Sequence, residues 1–167
     1  MFGYQFRSAQ YEIEPLKTNV SSTFDQAVVR FNEENPRARI SLDFKPLAAG
    51  YGEHLFNNIA RNTIGSDIAV FETSDLNSNV MLEMGVALTW GVQVLPLKAE
   101  GRPRPPSDVS GQTWVDYRDS ASAFVDADHD SKILHLVERA VRKKGHGPRN
   151  SPHAPSPQTT RHGDSER

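Results

Sequence analysis

The sequence predicts an α/β fold built on a parallel sheet of five strands. A continuous apolar run at residues 68–71 is typical of a central parallel strand that is covered on both faces. Apolar residues recur at helical spacing before and after this run. Predicted strands and helices alternate along the chain, which indicates parallel strands joined by helical crossovers. A length of 167 residues suits one domain.

The first half of this fold begins with an apolar and aromatic run at residues 1–6, which predicts the first strand. Apolar residues spaced as on a helix between Val20 and Phe31 predict the first helix. That helix should end at Asn35, because a residue that precedes proline disfavours the α conformation. Residues 40–44 alternate between apolar and polar side chains, which predicts a half-buried strand at or near a sheet edge.

The second half begins with a second helix, indicated by the apolar spacing of residues 55–63. A third helix follows the central strand and runs from about residue 77 to 90. Asn77 is its expected N-cap and Gly91 its expected C-terminal cap. Two further strands and a last amphipathic helix complete the prediction, at residues 92–97, 114–117 and 133–141.

The C-terminal segment, residues 143–167, differs in composition from the rest of the chain. It has Ala154 as its one apolar residue, four of the eleven prolines, and five Lys and Arg against two Asp and Glu. Such a segment cannot bury enough surface to offset its ordering entropy, so we predict a disordered basic tail. The predicted domain, residues 1–142, then carries 14 basic and 19 acidic residues, a net charge of −5. An acidic body argues against nucleic acid as a partner.

Several classes of chemistry are excluded by what the sequence lacks. It contains no cysteine, which excludes disulfides and a thiol nucleophile. Neither a Gly-x-Gly-x-x-Gly fingerprint nor a Gly-Lys-Ser/Thr phosphate loop is present. The acidic cluster at residues 126–130 lacks the glycine and terminal glutamate of a calcium loop, so no metal site is predicted. Without a membrane-length apolar stretch or a secretory signal, we expect a cytoplasmic protein with no membrane partner.

One carboxylate stands out from its surroundings. Glu83 is the only charged residue among the 22 between Asp75 and Lys98, and its predicted helix is apolar almost all round. Helices of this kind are usually buried on most of their surface. Burying an ionised carboxylate there costs on the order of several kcal/mol, unless the carboxylate is paired or lies in a cleft open to solvent. Glu83 is therefore either a structural residue, in a salt bridge or exposed at the edge of the helix, or a carboxylate that binds a ligand or acts in catalysis.

Polar residues near Glu83 favour the functional interpretation. Asn79 lies four residues earlier, on the same face of the helix as Glu83. Asp75 follows the central strand, whose carboxyl end is where ligands bind in parallel α/β folds. Such a set can hold ribose hydroxyls and present a carboxylate to an anomeric carbon. The carboxylate would act there as a nucleophile or stabilise an oxocarbenium-like transition state.

Residues 66–87, which read SDIAVFETSDLNSNVMLEMGVA, resemble the signature of TIR-like nucleotide-binding proteins and the related nucleoside 2-deoxyribosyltransferase-like proteins. The following GVQVLPL, residues 91–97, resembles the next strand of that superfamily. The resemblance is close over residues 66–97 and follows the order of elements over about 1–120. Two positions depart from the pattern: Ser78 replaces a proline, and Glu72 stands where an aspartate is common.

The resemblance implies a flavodoxin-like three-layer fold and cleavage of an N-glycosidic bond. By motif position, Glu83 takes the place of the glutamate that attacks deoxyribose in the transferases and supports NAD hydrolysis in TIR enzymes. The expected activity is NAD hydrolysis, with NAD as substrate and no cofactor, in a bacterial antiphage or stress response. The expected partners are a homo-oligomer or a separate sensor protein. A deoxyribosyltransferase or nucleotide N-glycosidase, and a non-catalytic nucleotide-sensing or oligomerisation module, remain alternatives.

The predicted substrate-binding residues are Asp75, Asn79, Arg7, Tyr4 and Trp114. Arg7, which follows the first strand, would hold phosphate, because a guanidinium can contact a phosphate through two donors. Tyr4 and Trp114 would stack on a base, with packing of their own strands as the alternative role for each.

Overall fold

The computed structural model describes residues 1–46, 55–103, 114–122 and 127–145. These residues form four strands and four α-helices, with one short 3₁₀ turn at Ser120–Ser122. In chain order the elements are β1 (Phe2–Gly3), α1 (Ile13–Glu34), α2 (Leu55–Ile64), β2 (Ile68–Glu72), α3 (Ser78–Thr89), β3 (Gln93–Ala99), β4 (Val115–Tyr117) and α4 (Ala127–Gly145).

The sheet is parallel throughout, with the strand order β1-β2-β3-β4. β2 and β3 form its centre and pair over five residues, from Ile68 opposite Gln93 to Glu72 opposite Leu97. β4 pairs only with the carboxyl half of β3, from Leu97 to Ala99. This arrangement confirms the predicted α/β class and the parallel sheet.

The prediction of five strands is wrong for the described residues, because residues 40–44 do not form a strand. A side chain of α1 takes the backbone groups that a ladder would need. Asn32 accepts from the N–H of Ile40 at 2.8 Å and donates to its carbonyl at 2.9 Å. The segment reaches the sheet at a single bridge between Phe2 and Pro46, and a proline has no N–H to extend it.

The apolar alternation of residues 40–44 nevertheless reflects real burial. Ile40, Leu42 and Phe44 pack against the core beside β1, and the Phe44 ring lies 6.3 Å from that of Phe2. The alternating pattern therefore correctly predicted which side chains face the core, but not that the backbone would pair as a strand. β1 is also shorter than the predicted residues 1–6, because the backbone of Gln5 leaves the sheet to bond the Tyr11 hydroxyl.

The chain changes direction across the sheet beside β1. The N–H of Phe2 bonds the carbonyl of Lys45 on one side at 2.9 Å, whereas the carbonyl of Met1 accepts from Val70 on the other. Residues 45–46 thus lie along the outer edge of β1, and the next strand, β2, pairs with the other edge of β1. Ligands in open parallel sheets bind at such a switch point, at the carboxyl ends of the strands.

Helices cover both faces of the sheet. On one face α1 and α4 pack together over a core that includes Phe2, Val70 and Leu97. On the other face α3 buries Val80, Met84 and Ala87 against β2 and β3. α2 packs beside α3. This division follows from the strand period of two, because Val70 and its neighbours Ala69 and Phe71 point to opposite faces.

The N-cap of α3 is the residue predicted, whereas the C-cap is Trp90 and not Gly91. The Asn77 side chain accepts from the N–H groups of Asn79, at 2.9 Å, and Val80. The helix ends at Thr89, one residue before the predicted end, and Gly91 follows with φ +67°, a conformation that glycine adopts without steric cost. The sequence therefore predicted the start of the helix that carries Glu83 to the residue.

The last turn of α4 is attached to the amino end of the sheet. Lys143 donates to the carbonyl of Gly91, and Lys144 pairs with Asp67 at 2.9 Å. α4 thus includes the first three residues of the predicted tail, and residues 146–167 lie outside the described residues. Among the described helices, none is long and apolar enough to cross a membrane.

Candidate functional site

Glu83 lies on the buried side of α3, over the carboxyl end of β1. Its side chain is 8% exposed. No ion pair or hydrogen bond joins its carboxylate to another residue of the described chain segments. Burial alone raises the pKa of Glu83 to about 7, because a charged carboxylate loses its hydration in an apolar setting. Glu83 is therefore a bare buried carboxyl, and it changes charge near neutral pH.

Gly3 provides the space for this carboxyl. A Cβ atom at position 3 would lie 3.1 Å from Oε2 of Glu83 and 2.7 Å from Cδ1 of Phe71. The second distance is shorter than any ordinary carbon contact, so only glycine fits between these two side chains. This constraint could not be predicted from the sequence, because Gly3 lies in an apolar run that is typical of a strand.

A second carboxylate, Glu72, lies at the carboxyl end of β2 and is 2% exposed. It faces the sheet side covered by α1 and α4, where the Tyr117 hydroxyl donates to it at 2.8 Å. The N–H of Ser74 bonds both carboxylate oxygens at 3.2 Å, and the Ser74 hydroxyl donates to Oε1. Burial raises the pKa of Glu72, and these hydrogen bonds offset part of the effect by favouring the charged form.

Asp75 projects from the turn that joins β2 to α3, residues 73–77. Its Oδ1 lies 3.8 Å from Nη2 of Arg102, which follows the carboxyl end of β3. Its other oxygen, Oδ2, is buried and makes no hydrogen bond to the described residues. Asp75 thus lies partly exposed at the edge where ligands bind in this class of fold, with one of its two oxygens enclosed by the protein.

Two other predicted binding residues are placed around this edge without a direct contact to Glu83. Asn79 is exposed in the first turn of α3, one helical turn before Glu83. Arg7 is exposed after β1, and no ion pair within the described residues involves its guanidinium. Both are open to a ligand from solvent.

The predicted stacking residues have different positions. Tyr4 packs against the core beside β1, and its ring lies 5.3 Å from the rings of both Phe2 and Phe6. Trp114 is half-buried and precedes β4. Tyr117, three residues later at the carboxyl end of β4, is the aromatic residue that donates a hydrogen bond to Glu72.

Sequence reasoning missed the role of Arg102 and underestimated Glu72. Arg102 bonds the carbonyl of Ser74 through Nε at 3.1 Å and approaches Asp75, so it joins β3 to the turn. No local pattern could reveal this, because the partners are 28 residues apart. In the sequence Glu72 stands out only as a departure from an aspartate that is common at its position, and the polar residues Thr73 and Ser74 that follow it were the available signal.

The arrangement combines a desolvated carboxyl with polar groups at the carboxyl edge of a parallel sheet. A desolvated carboxylate interacts strongly with a positive charge that develops beside it, since little water screens the interaction. Within the described residues, no group of three or more metal-ligating side chains is assembled. Asp126 of the acidic cluster lies outside the described residues.

The chain matches no protein-family model and no curated protein.

Proposed function

We propose that this protein cleaves the N-glycosidic bond of a nucleotide, with NAD as the substrate and Glu83 as the catalytic carboxylate. The observation that carries the proposal is the state of Glu83: buried, without a partner among the described residues, and beside the topological switch point. Burying an unpaired carboxyl is unfavourable. A functional use of its charge accounts for that cost, and a structural ion pair does not.

The chemistry follows from the charge that develops on the sugar. When the bond between C1′ and the nicotinamide nitrogen breaks, its electron pair leaves with nicotinamide, and positive charge develops on the ribose ring. The Glu83 carboxylate would stabilise this charge or bond to C1′. Water then adds at C1′ and releases a proton, so that NAD and water give nicotinamide, ADP-ribose and H⁺.

The neighbouring groups support the sugar in this proposal. The partly exposed Asp75 carboxylate, beside Arg102, can accept a hydrogen bond from a ribose hydroxyl. Asn79, one turn before Glu83, can both donate to and accept from the sugar. Arg7 would contact the diphosphate. The motif resemblance of residues 66–97 supports the same assignment.

The strand order supports a flavodoxin-like fold as part of the proposal. In that fold the sheet order is 2-1-3-4-5, and the ligand lies at the switch between the first and third strands. β1 to β4 would then correspond to strands 1, 3, 4 and 5, with residues 45–46 at the position of strand 2. The switch would place the ligand at β1 and β2, where Glu83 lies.

The test is release of nicotinamide from NAD by the full chain. We expect Glu83→Gln to lower the rate by roughly 10³-fold, because the amide keeps the shape and removes the charge. Glu33→Gln is the matched control, since Glu33 is an exposed glutamate of α1. Equal release by wild type and Glu83→Gln would contradict the assignment.

The other outcomes identify the alternatives. Base exchange between deoxynucleosides without NAD turnover would indicate a deoxyribosyltransferase. Tight nucleotide binding that survives Glu83→Gln, with no product from any variant, would indicate a sensing module.

A further inference from the structure

The turn formed by residues 73–77 carries Asp75 and leads into the N-cap of α3. One residue of the turn, Leu76, has φ +46°, a left-handed conformation that side-chain-bearing residues rarely adopt. Such strain persists only where the surrounding contacts determine the conformation. The contacts that hold this turn therefore decide where Asp75 and α3 are placed.

Ser74 is the centre of these contacts, and it is fully buried. Its N–H and hydroxyl both donate to the Glu72 carboxylate. The same hydroxyl accepts from the N–H of Ala99 at 2.7 Å, and its carbonyl accepts from Arg102. Every polar group of Ser74 is thus used to tie the turn to β2 and β3.

The Glu72 carboxylate is matched to this task by its two acceptor oxygens. Ser74 N–H lies 3.2 Å from each oxygen, and the Tyr117 hydroxyl shares Oε1 with the Ser74 hydroxyl. A glutamine has only one acceptor oxygen, so it would turn an N–H group toward one of these donors. With 2% exposure and its oxygens occupied, Glu72 has no direct access to a substrate.

We propose that Glu72 is a positioning residue: its carboxylate fixes the turn of residues 73–77 and thereby sets Asp75 and the start of α3 for substrate binding. Glu72 acts through Ser74 and touches no reacting atom. The expected effect of Glu72 on catalysis rests on the proposed function. Its effect on the conformation of the turn can be measured without any substrate.

The first arm of the test measures the turn without any substrate. Amide hydrogen exchange in the full chain is compared between wild type and Glu72→Gln. We expect the amides of Ser74 and Leu76 to exchange roughly tenfold faster or more in the variant, and the central amides of β2 and β3 to keep their protection. The control is Thr23→Val, which removes a buried hydroxyl on α1 that bonds the Asn19 carbonyl, away from the turn. Unchanged exchange at Ser74 and Leu76 would overturn the proposal.

The second arm is a double-mutant cycle on the NAD reaction. We expect Glu72→Gln and Asp75→Asn each to raise KM by roughly tenfold, and the double variant to be no worse than Asp75→Asn alone, because both changes act through Asp75. Thr23→Val should leave KM unchanged. Independent, multiplying effects would show that Glu72 serves general stability and would overturn the positioning role.

The two arms separate this inference from the proposed function. If the wild type releases no nicotinamide while Glu72→Gln loosens the turn as expected, the proposed function fails and the placement of the turn by Glu72 is retained. If the wild type is active and the turn is unchanged in Glu72→Gln, the proposed function is retained and this inference fails.

Discussion

Two buried carboxyl groups, Glu72 and Glu83, lie on opposite sides of the sheet near its carboxyl edge and differ in what surrounds them. Glu72 accepts hydrogen bonds from Ser74 and Tyr117, whereas Glu83 has no such partner among the described residues. Burial raises the pKa of both. Burial alone therefore does not distinguish a structural carboxyl from one that is available for a reaction. The two sites differ in the hydrogen bonds that the carboxylate accepts.

The largest expected effect concerns the pH dependence of stability at Glu83. Its folded pKa of about 7 lies above the ordinary value of 4.5, so the folded state binds the proton more tightly than the unfolded state. Stability should therefore fall as pH rises from about 4.5 through 7, by on the order of 3 kcal/mol. Glu83→Gln should remove this loss and be the more stable protein at pH 8. Urea unfolding of both proteins at pH 5 and pH 8 measures it.

The same ionisation should appear in catalysis. Because the proposed role needs the charged carboxylate, kcat/KM for NAD should rise with pH through an inflection near the pKa of about 7. If kcat/KM is constant from pH 5.5 to 8.5, the charge of Glu83 takes no part in the reaction.

Glu72→Gln should change stability in the opposite direction. The variant keeps one acceptor oxygen but turns its amide N–H group toward a buried donor of Ser74, which costs about 2 kcal/mol at neutral pH. The measurement is the free energy of unfolding at pH 7, beside Glu83→Gln. Stabilisation by both substitutions would erase the contrast between the two sites.

Gly3→Ala tests whether space, and not bonding, places Glu83. The added Cβ would meet Phe71 and Oε2 of Glu83, and overpacking of this kind costs about 1 to 2 kcal/mol. The matched control is Gly85→Ala in α3, where a Cβ meets nothing within 4 Å. That substitution should stabilise the helix by up to about 1 kcal/mol. Equal effects of the two substitutions in urea unfolding would contradict the steric account.

The smallest expected effect is that of Tyr117→Phe. It removes one hydrogen bond to Glu72 and leaves the two from Ser74, so the cost should be about 1 kcal/mol. Thermal unfolding beside wild type measures it. A cost equal to that of Glu72→Gln would mean that Tyr117, and not Ser74, is the partner that matters.

The sequence allowed Glu83 to be found because its signal is local. A lone charge in an apolar helix, with Asn77 as N-cap, can be read within a few neighbouring residues. The α/β class and the parallel strands followed from local periodicity for the same reason.

The remaining features depend on contacts between distant residues. Tyr117 reaches Glu72 across 45 residues, and Arg102 reaches Ser74 across 28. The prediction of a fifth strand was wrong for a similar reason. The alternation predicted the buried face of residues 40–44, but Asn32 of α1 occupies the N–H and C=O of Ile40, the first of these residues. A periodic pattern records burial, whereas pairing depends on what competes for each N–H and C=O.

The attachment of α4 also sets the direction in which the chain leaves the described fold. Lys143 and Lys144 are tied to Gly91 and Asp67, which precede β3 and β2 at the amino end of the sheet. Glu83 and Asp75 belong to the opposite edge. A surface tether or fluorescent label joined after Gly145 would therefore depart on the side away from the candidate site, so an immobilised protein would present that site to solution.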